Sequence, residues 1–201
     1  MMAVWALIAL ISGIGYGLSE WHVVFLDQIA DNSAVILNVL MLLVGISVGL
    51  RRGLLQRMKE YHIRILVIPF GIVLASFLGG IVCHWLTGYG LAESTAVTSG
   101  LGWYSLSGVL VGEAAGPELG SITFLSNLMR EIISFFLIPF IAATLNDYTC
   151  IAPAAATSED TTLPILMRYT DEATVVLAVF NGIICSSVVP VLVPLCFTLF
   201  R

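Results

Sequence analysis

The sequence predicts an all-α protein that crosses a membrane several times. Of the 201 residues, 59% are hydrophobic and only 10% are charged, whereas soluble domains carry about 25% charged residues. The mean hydropathy is +1.02, and several apolar runs reach the roughly 20 residues that cross a hydrocarbon core. This pattern excludes a soluble domain with one anchoring helix. We therefore predict a single integral membrane domain over residues 1–201.

The apolar runs predict about seven membrane segments, separated by polar residues or by Gly and Pro. They lie at residues 2–19, 34–50, 65–88, 94–112, 119–145, 151–168 and 173–200. The first run has no basic stretch before it and no clear cleavage site of small residues. It is therefore predicted to be a retained helix and not a signal peptide.

The distribution of basic residues predicts the orientation of these segments. Most Lys and Arg side chains lie at 51–64, whereas the loop at 20–33 contains acidic residues and neither Lys nor Arg. The positive-inside rule places residues 51–64 in the cytoplasm. Counting segments from there puts the amino terminus in the cytoplasm and the carboxy terminus outside. This result is the same if segments 94–112 and 151–168 both cross or both re-enter.

Several function classes receive no support from the residues. The four cysteines have neither CxxC spacing nor a neighbouring His at metal-ligand spacing, so we interpret them as packing thiols and predict no metal or cofactor. The net charge of −5 and the lack of basic tracts with interleaved aromatics argue against nucleic acid. Ser105 and Ser107 lack a suitably placed His to act as a base, so no enzyme is predicted.

Two segments, 94–112 and 151–168, are interrupted by Gly, Ser, Thr or acidic residues. Irregular backbone at membrane depth is tolerated only where it is buried in protein or lines a wet cavity. Paired interrupted helices in corresponding places indicate a transporter site built on repeats, and the two segments show a loose similarity at a spacing of roughly 55 residues. We expect Gly100, Gly102 and Gly108 to permit the first break and a close backbone approach.

Arg130 and Glu131 stand side by side near the middle of the segment 119–145. A charge at that depth costs about 3 kcal/mol or more, so it normally faces the protein interior and marks a pathway. Asn127 lies on the same helix face as Glu131, one turn earlier. One interpretation is a structural ion-pair network that fixes helix register, which we favour for Arg130. For Glu131 we favour a role in substrate or proton binding.

A second candidate acid is Asp160, in the run TSEDTTLP. Pro164 follows, where a helix is expected to stop and restart. Freed backbone groups and hydroxyls there suit a polar solute, and a restarting half-helix presents N–H groups that attract a carboxylate. Asp160 is also suited to cap a short helix. Glu159 has two open interpretations, a water-facing side chain or a contributor to the site.

Other candidate residues surround these acids. Trp103 and Tyr104 are interpreted as packing residues or cavity walls, and Glu113 as an interfacial acid with a structural or coupling role. Asn181, Ser186 and Ser187 are expected to make hydrogen bonds between helices. The side chains predicted to bind substrate or protons are Glu131, Asp160, Ser105, Ser107, Thr157, Ser158, Thr162, Asn127, Trp103 and Tyr104, and those predicted to be structural or coupling are Arg130, Glu113, Gly102, Gly108 and Pro164.

Four motifs carry a family resemblance. They are GWYSLSG at 102–108, Gly116-Pro117, Arg130-Glu131 followed by Pro139, and the run from Thr157 to Pro164. With these motifs the chain resembles the LysO family of bacterial L-lysine exporters. The resemblance implies a multi-pass inner-membrane protein that exports lysine or a similar cationic amino acid.

The chain departs from the family pattern in two ways. Single-chain members carry further helices before the first one seen here, which implies a small membrane partner chain or a homodimer that completes the fold. Glu159 replaces a residue that is usually uncharged in this family. That replacement puts the preference for lysine in doubt.

The resemblance also implies a mechanism. Glu131 and Asp160 would meet ammonium groups, while hydroxyls and half-helix N-termini would hold a carboxylate. Since burial favours a protonated carboxyl group and a bound cation favours the ionised one, proton and substrate would compete, as in antiport by alternating access. Two alternatives stay open: a transporter of the same fold for another small solute or cation, and a scaffold subunit that transports nothing.

Overall fold

The computed structural model describes residues 2–19 and 64–200, together with single positions between them at 23, 25, 28, 32, 35, 39, 42 and 46. The chain forms two compact units, residues 1–50 and 51–201. The first unit contains α1 (Met2–Leu18). Apart from four single positions, the predicted segment 34–50 lies outside the described residues, as do the basic residues at 51–63, so the predicted orientation stays a prediction.

The described part of the second unit is built from helices. In chain order it has α2 (Arg64–Thr87), α3 (Leu91–Thr98), α4 (Tyr104–Ala115), α5 (Pro117–Thr144), α6 (Ile151–Ala154), α7 (Leu163–Tyr169) and α8 (Glu172–Leu199), with 3-10 turns at Asp147–Cys150 and Ala155–Glu159. Helices α2, α5 and α8 are long and apolar enough to cross a membrane. These elements confirm an α-helical membrane protein, and the predicted count of seven segments stays a prediction.

Residues 91–115, called here the first hairpin, fold back on themselves. Helix α3 packs against α2 so closely that a Cβ on Gly80 would lie 2.7 Å from the Thr95 Cα. Helix α4 then runs along the start of α5, where a Cβ on Gly120 would lie 2.8 Å from the Gly112 Cα. Small residues at both contacts therefore let the backbones approach.

Both ends of the first hairpin lie at the amino-terminal end of α5. Tyr89, just before α3, lines the same cavity of about 180 Å³ as Leu119, in the first turn of α5. Helix α4 ends at Ala115 and is joined to α5 through Gly116, whose φ is 96°. The predicted segment 94–112 therefore enters the bundle and turns back at its tip.

Residues 147–169, called here the second hairpin, begin at the opposite end of α5. Their first arm runs back along that helix, where the Cys150 thiol donates to the Ile138 carbonyl at 3.7 Å. The second arm ends beside the start of the first, because the Asp171 N–H donates to Asp147 Oδ2 at 3.1 Å. The predicted segment 151–168 therefore also turns back.

The tips of the two hairpins meet in the middle of the bundle. The Ala156 N–H donates to the Leu101 carbonyl at 3.0 Å. Next to this bond the backbone takes left-handed conformations, with φ of 50° at Leu101 and 49° at Ala155. Such angles are uncommon for residues other than Gly and persist only where the surroundings hold them. The tertiary contact between the tips therefore fixes both breaks.

An asparagine from a long helix holds each tip. Asn127 on α5 accepts the Gly102 N–H at 2.8 Å, and its amide donates to the Val97 carbonyl at 3.0 Å. Asn181 on α8 donates to the Ala155 carbonyl at 2.9 Å. The number of residues from Leu101 to Ala155 equals that from Asn127 to Asn181, and α5 and α8 both have 28 residues. This correspondence supports an internal repeat of one hairpin and one long helix.

Two local predictions need correction. Gly108 is not part of the break, which lies at 99–103. It lies inside α4, where a Cβ would be 3.1 Å from the Phe124 Cβ of α5, so its role is close helix packing. Asp160 is not the N-cap of the restarted helix, because α7 follows Thr162 and the Asp160 carboxylate accepts the N–H of Thr161 instead.

Candidate substrate and proton site at the hairpin tips

Glu131 lies near the middle of α5, one turn after Asn127, on the face that this helix buries. Its side chain is 1% exposed. Within the described part of the chain, neither carboxylate oxygen has a hydrogen-bond partner. A buried carboxylate without partners is costly as an anion. The arrangement therefore favours either a proton on Glu131 or a cation beside it.

The second hairpin supplies the neighbours of this carboxylate. The Thr161 side chain interacts with Glu131, and the Asp160 carboxylate acts on it electrostatically. The Thr161 hydroxyl oxygen is buried and makes no hydrogen bond with the residues that the structure describes. Asp160 itself is exposed. Glu131 and Asp160, the two acids predicted to act together, therefore interact electrostatically. Glu131 lies inside the protein and Asp160 lies at its surface.

The first hairpin contributes Tyr104, the first residue of α4. This half-buried side chain interacts electrostatically with both Glu131 and Asp160. Its ring packs edge-on against Phe124 of α5, with the ring centroids 5.2 Å apart. Trp103 precedes it, and its carbonyl accepts the Ser107 hydroxyl at 2.8 Å. Thus α5 and both hairpins each place a side chain at the site.

Arg130 is held by the second hairpin and α2. It donates to the Pro153 and Ala152 carbonyls at 3.2 and 3.3 Å, and to the Ser76 hydroxyl at 3.0 Å. These carbonyls lie at the end of α6, just before the break, where helix carbonyls lack intrahelical partners. A cation there is favourable. The geometry supports the structural interpretation of Arg130, although carbonyls and a hydroxyl replace the expected acidic partner.

A row of cavities borders Arg130 along α2. A cavity of about 530 Å³ and another of about 190 Å³ are both lined by Ser76 and Arg130. The smaller one shares Cys83 and Thr98 with the cavity of about 180 Å³ near Leu119. Arg130 and Glu131 point about 100° apart around α5, and Glu131 does not line these three cavities, whereas Asn127, one turn before it, lines the cavity of about 190 Å³.

The other hydroxyls predicted to bind substrate donate their hydrogens to backbone carbonyls. The Thr157 hydroxyl donates to Ala154, that of Ser158 to Ala178, and that of Thr162 to Thr157, at 2.7 to 2.9 Å. They are buried and stabilise the second hairpin. Ser107 is buried in the first hairpin, and Ser105 is exposed. Their roles towards a substrate stay predictions.

The remaining candidates lie around the hairpins. Glu159 is half-buried and accepts the Ser186 hydroxyl at 3.1 Å, so its carboxylate contacts α8. Pro164 is in the first turn of α7, as expected for a restarted helix. Gly102 has a φ of 91°, which suits the turn. Glu113 is exposed near the end of α4.

The structure gives two residues of this region a more specific place than the sequence does. The sequence groups the hydroxyls beside Asp160 without distinguishing Thr161, whose hydroxyl makes no hydrogen bond among the described residues. Asn181 makes hydrogen bonds between elements, as the sequence predicts, and these bonds hold the tip of the second hairpin. The sequence signal for this role is the spacing between Asn127 and Asn181, which matches the spacing between the breaks of the two interrupted segments. Among the described residues, no group of three His, Cys, Asp or Glu could hold a metal ion.

Comparison with known proteins identifies the family. The family model described as "Lysine exporter LysO" matches residues 7–197. The chain belongs to the lysine exporter LysO family. This match confirms the resemblance carried by the motifs in the hairpins and α5, and it supports membrane transport of amino acids at the level of the family. No solved structure matches the chain.

Two curated relatives also support membership of the LysO family. The "Lysine exporter LysO" of Escherichia coli (strain K12) is 33% identical over 180 residues, which cover 90% of this chain and 60% of the relative. The "Putative lysine exporter" of Haemophilus influenzae is 36% identical over 119 residues, or 59% of this chain and 60% of that protein. The chain thus spans about 60% of the length of the curated relatives it matches.

Proposed function

We propose that this protein exports L-lysine or a similar cationic amino acid across the bacterial inner membrane in exchange for protons. The observation that carries the proposal is Glu131, a buried carboxylate without a hydrogen-bond partner in the described part of the chain. It lies beside a second acid, Asp160, at the point where two broken segments meet. The lysine-exporting names of the relatives support the choice of substrate.

The exchange follows from the energetic cost of a buried negative charge. In the empty site a proton on Glu131 removes that charge. A positively charged amino acid compensates the same charge if it replaces the proton, so one site holds one or the other. Proton entry on one side of the membrane then drives release of the amino acid on that side.

The hairpins offer a route to alternating access. They enter from opposite ends of α5, and their tips meet at the bond between Ala156 and Leu101. Broken segments that line a central site in this way are a common basis of transporter gating. In the proposal, withdrawal of one hairpin opens the site to one side, and withdrawal of the other opens it to the opposite side.

Further membrane segments are proposed to complete the protein, from a small partner chain or a second copy. Asp160 and Ser105 are exposed although they lie beside or near the buried site. A substrate with charged ends needs walls around it in the membrane, and another segment over this surface would supply them. We propose seven segments, with the amino terminus in the cytoplasm and the carboxy terminus outside.

Flux measurements on the full chain in proteoliposomes test the proposal. We expect exchange of radiolabelled L-lysine that is accelerated by a pH gradient, and a loss of at least about tenfold in Glu131→Gln because the exchangeable proton is gone. Glu118→Gln removes an exposed acid in the first turn of α5 and serves as the matched control, with nearly normal flux. Flux independent of the pH gradient would contradict proton exchange. If the protein is instead a scaffold, the unmodified protein should show no lysine flux, and Glu131→Gln should fail to assemble with its partner.

A further inference from the structure

We infer that Glu131 and Thr161 form a subsite for a primary ammonium group and that Thr161 determines specificity for it. The inference rests on the proposed function and concerns the part of the substrate that this site receives. It is carried by three oxygen atoms that lie close together. They are the two carboxylate oxygens of Glu131 and the hydroxyl oxygen of Thr161, all buried and without hydrogen bonds among the described residues.

The interaction between the two side chains shows that these oxygens belong to one site. Thr161 acts on the Glu131 carboxylate through its side chain, yet the contact does not reach hydrogen-bond geometry. Buried polar groups in native proteins are nearly always satisfied, and each exception requires an explanation such as a bound ion. Here two adjacent side chains are exceptions at once. A ligand between them would satisfy both.

The chemistry of the oxygens selects the ligand. An ammonium group has three N–H donors and no acceptor, which matches three acceptors and a negative charge. The Asp160 carboxylate nearby adds attraction for a positive charge. A neutral ligand would leave the charge of Glu131 uncompensated. The Thr161 hydroxyl adds a directional contact, so the site should recognise N–H donors and not positive charge alone.

The second hairpin explains why Thr161 is available for this role. Its neighbour Thr162 donates to the Thr157 carbonyl at 2.9 Å, and Thr170 donates to Leu166 at 2.7 Å. Thr161 lies between the 3-10 turn that ends at Glu159 and helix α7. Its backbone N–H donates to the Asp160 carboxylate. No helix carbonyl accepts its hydroxyl in the described structure. It is thus a threonine of this hairpin whose hydroxyl remains for a ligand.

The test compares lysine with lysine methylated on the ε-nitrogen. In proteoliposomes with the full chain, radiolabelled L-lysine exchange is competed by L-lysine, Nε-methyl-lysine or Nε-trimethyl-lysine. All three carry the same positive charge, but the number of N–H donors falls from three to two to none. We expect apparent affinity to fall along this series, and trimethyl-lysine to compete at least about a hundredfold less well than lysine.

Variants of Thr161 separate loss of donors from increase in size. Thr161→Val has nearly the same shape without the hydroxyl. It should weaken the apparent affinity for lysine about tenfold and change that for trimethyl-lysine little, so the ratio of the two affinities becomes smaller. Thr161→Ser should restore the ratio. Thr170→Val, which removes a hydroxyl just after α7 that already donates to the Leu166 carbonyl, should leave this affinity ratio unchanged.

Two results would overturn the inference without affecting the proposed function. One is lysine exchange in Thr161→Val with the full preference over trimethyl-lysine. The other is saturable competition of lysine by Na⁺ that Thr161→Val abolishes, which would assign the oxygens to a metal cation. Absence of lysine flux in the unmodified protein, reconstituted together with the partner chain or second copy that completes it, would instead contradict the proposed function itself.

Discussion

The two hairpins share a backbone design but differ in charge at their tips. Each has a left-handed residue at its break and is held by an asparagine from the long helix that follows it. The tip of the first hairpin is neutral, and Asn127 satisfies its backbone groups. The second hairpin is contacted by the cation of Arg130 and carries Asp160 next to Glu131. This difference supports the proposal that the first hairpin forms a wall of the site and that the second hairpin contributes the groups that bind ions.

The adjacent charges of α5 should have opposite effects on stability, and here we expect the largest change. Arg130→Gln leaves the Ala152 and Pro153 carbonyls without their charged donor, so we expect a loss of about 3 kcal/mol in the free energy of unfolding. Glu131→Gln replaces a buried carboxyl group that has no hydrogen bonds among the described residues, so this variant should unfold at the same or a higher temperature. Thermal unfolding in detergent measures both.

Arg168→Gln provides the control for this pair, since Arg168 is exposed on α7 and its guanidinium lies over the Tyr169 ring. Its unfolding temperature should stay close to that of the unmodified protein. A destabilised Glu131→Gln together with an unaffected Arg130→Gln would reverse the comparison. Glu131 would then be the structural residue of the pair.

The contact between α8 and the second hairpin gives the next largest effect. A Cβ on Gly182 would lie 2.6 Å from the Glu159 backbone N and 2.5 Å from its Cβ. Since backbone must shift, Gly182→Ala should cost about 2 kcal/mol. Gly112→Ala is the control in the first hairpin, because its Cβ would meet nothing closer than 3.6 Å. It should be neutral or slightly stabilising, since Ala favours a helix over Gly by about 1 kcal/mol.

The hairpins themselves show how far the sequence could predict this fold. Interruptions by Gly, Ser and Thr indicate where both segments break. A break leaves backbone groups without helical partners, so it must be buried in protein or line a cavity. The return of each segment depends on contacts distant in the chain, such as Asp171 with Asp147. Neither Leu101 nor Ala155 favours a positive φ, so no local signal predicted those angles.

The candidate site was predictable to a similar degree. A charge in the middle of an apolar segment is costly, and that cost alone identified Glu131 and Arg130. Their difference depends on partners from other elements: carbonyls reach Arg130, whereas none of the described groups hydrogen-bonds Glu131. The sequence does not separate Thr161 from Thr162, because both are threonines that closely follow Asp160. Only the fold shows which hydroxyl is already bonded.

Replacing the asparagines should sharpen the comparison of the tips. Asn127→Ala removes three hydrogen bonds and leaves the buried Gly102 N–H without its acceptor, whereas the Val97 carbonyl keeps the Gly100 N–H at 3.4 Å. Asn181→Ala removes the bonds to Ala155 and Ser158. We expect losses of about 2 kcal/mol for the first variant and about 1 kcal/mol for the second, measured by thermal unfolding. Equal losses in both would mean that the repeat is energetically symmetric.

The smallest effect concerns the end of the second hairpin and depends on pH. Asp171 caps α8, and its pKa is lowered by interaction with the Thr174 side chain and by the hydrogen bond from the Thr174 N–H at 2.8 Å. Because the folded state has the lower pKa, this stabilisation is complete above the ordinary value of 3.8 and is lost as the pH falls through the lowered folded pKa.

Asp171→Asn keeps a capping side chain but does not titrate. It should therefore show a flatter dependence of stability on acid pH than the unmodified protein, whereas Asp171→Ala should lose up to about 1 kcal/mol at neutral pH. The side chain is exposed, so solvent keeps both effects small. Unfolding curves between acid and neutral pH measure them. An unchanged acid dependence in Asp171→Asn would show that the ionisation of Asp171 does not contribute to the stability of this cap.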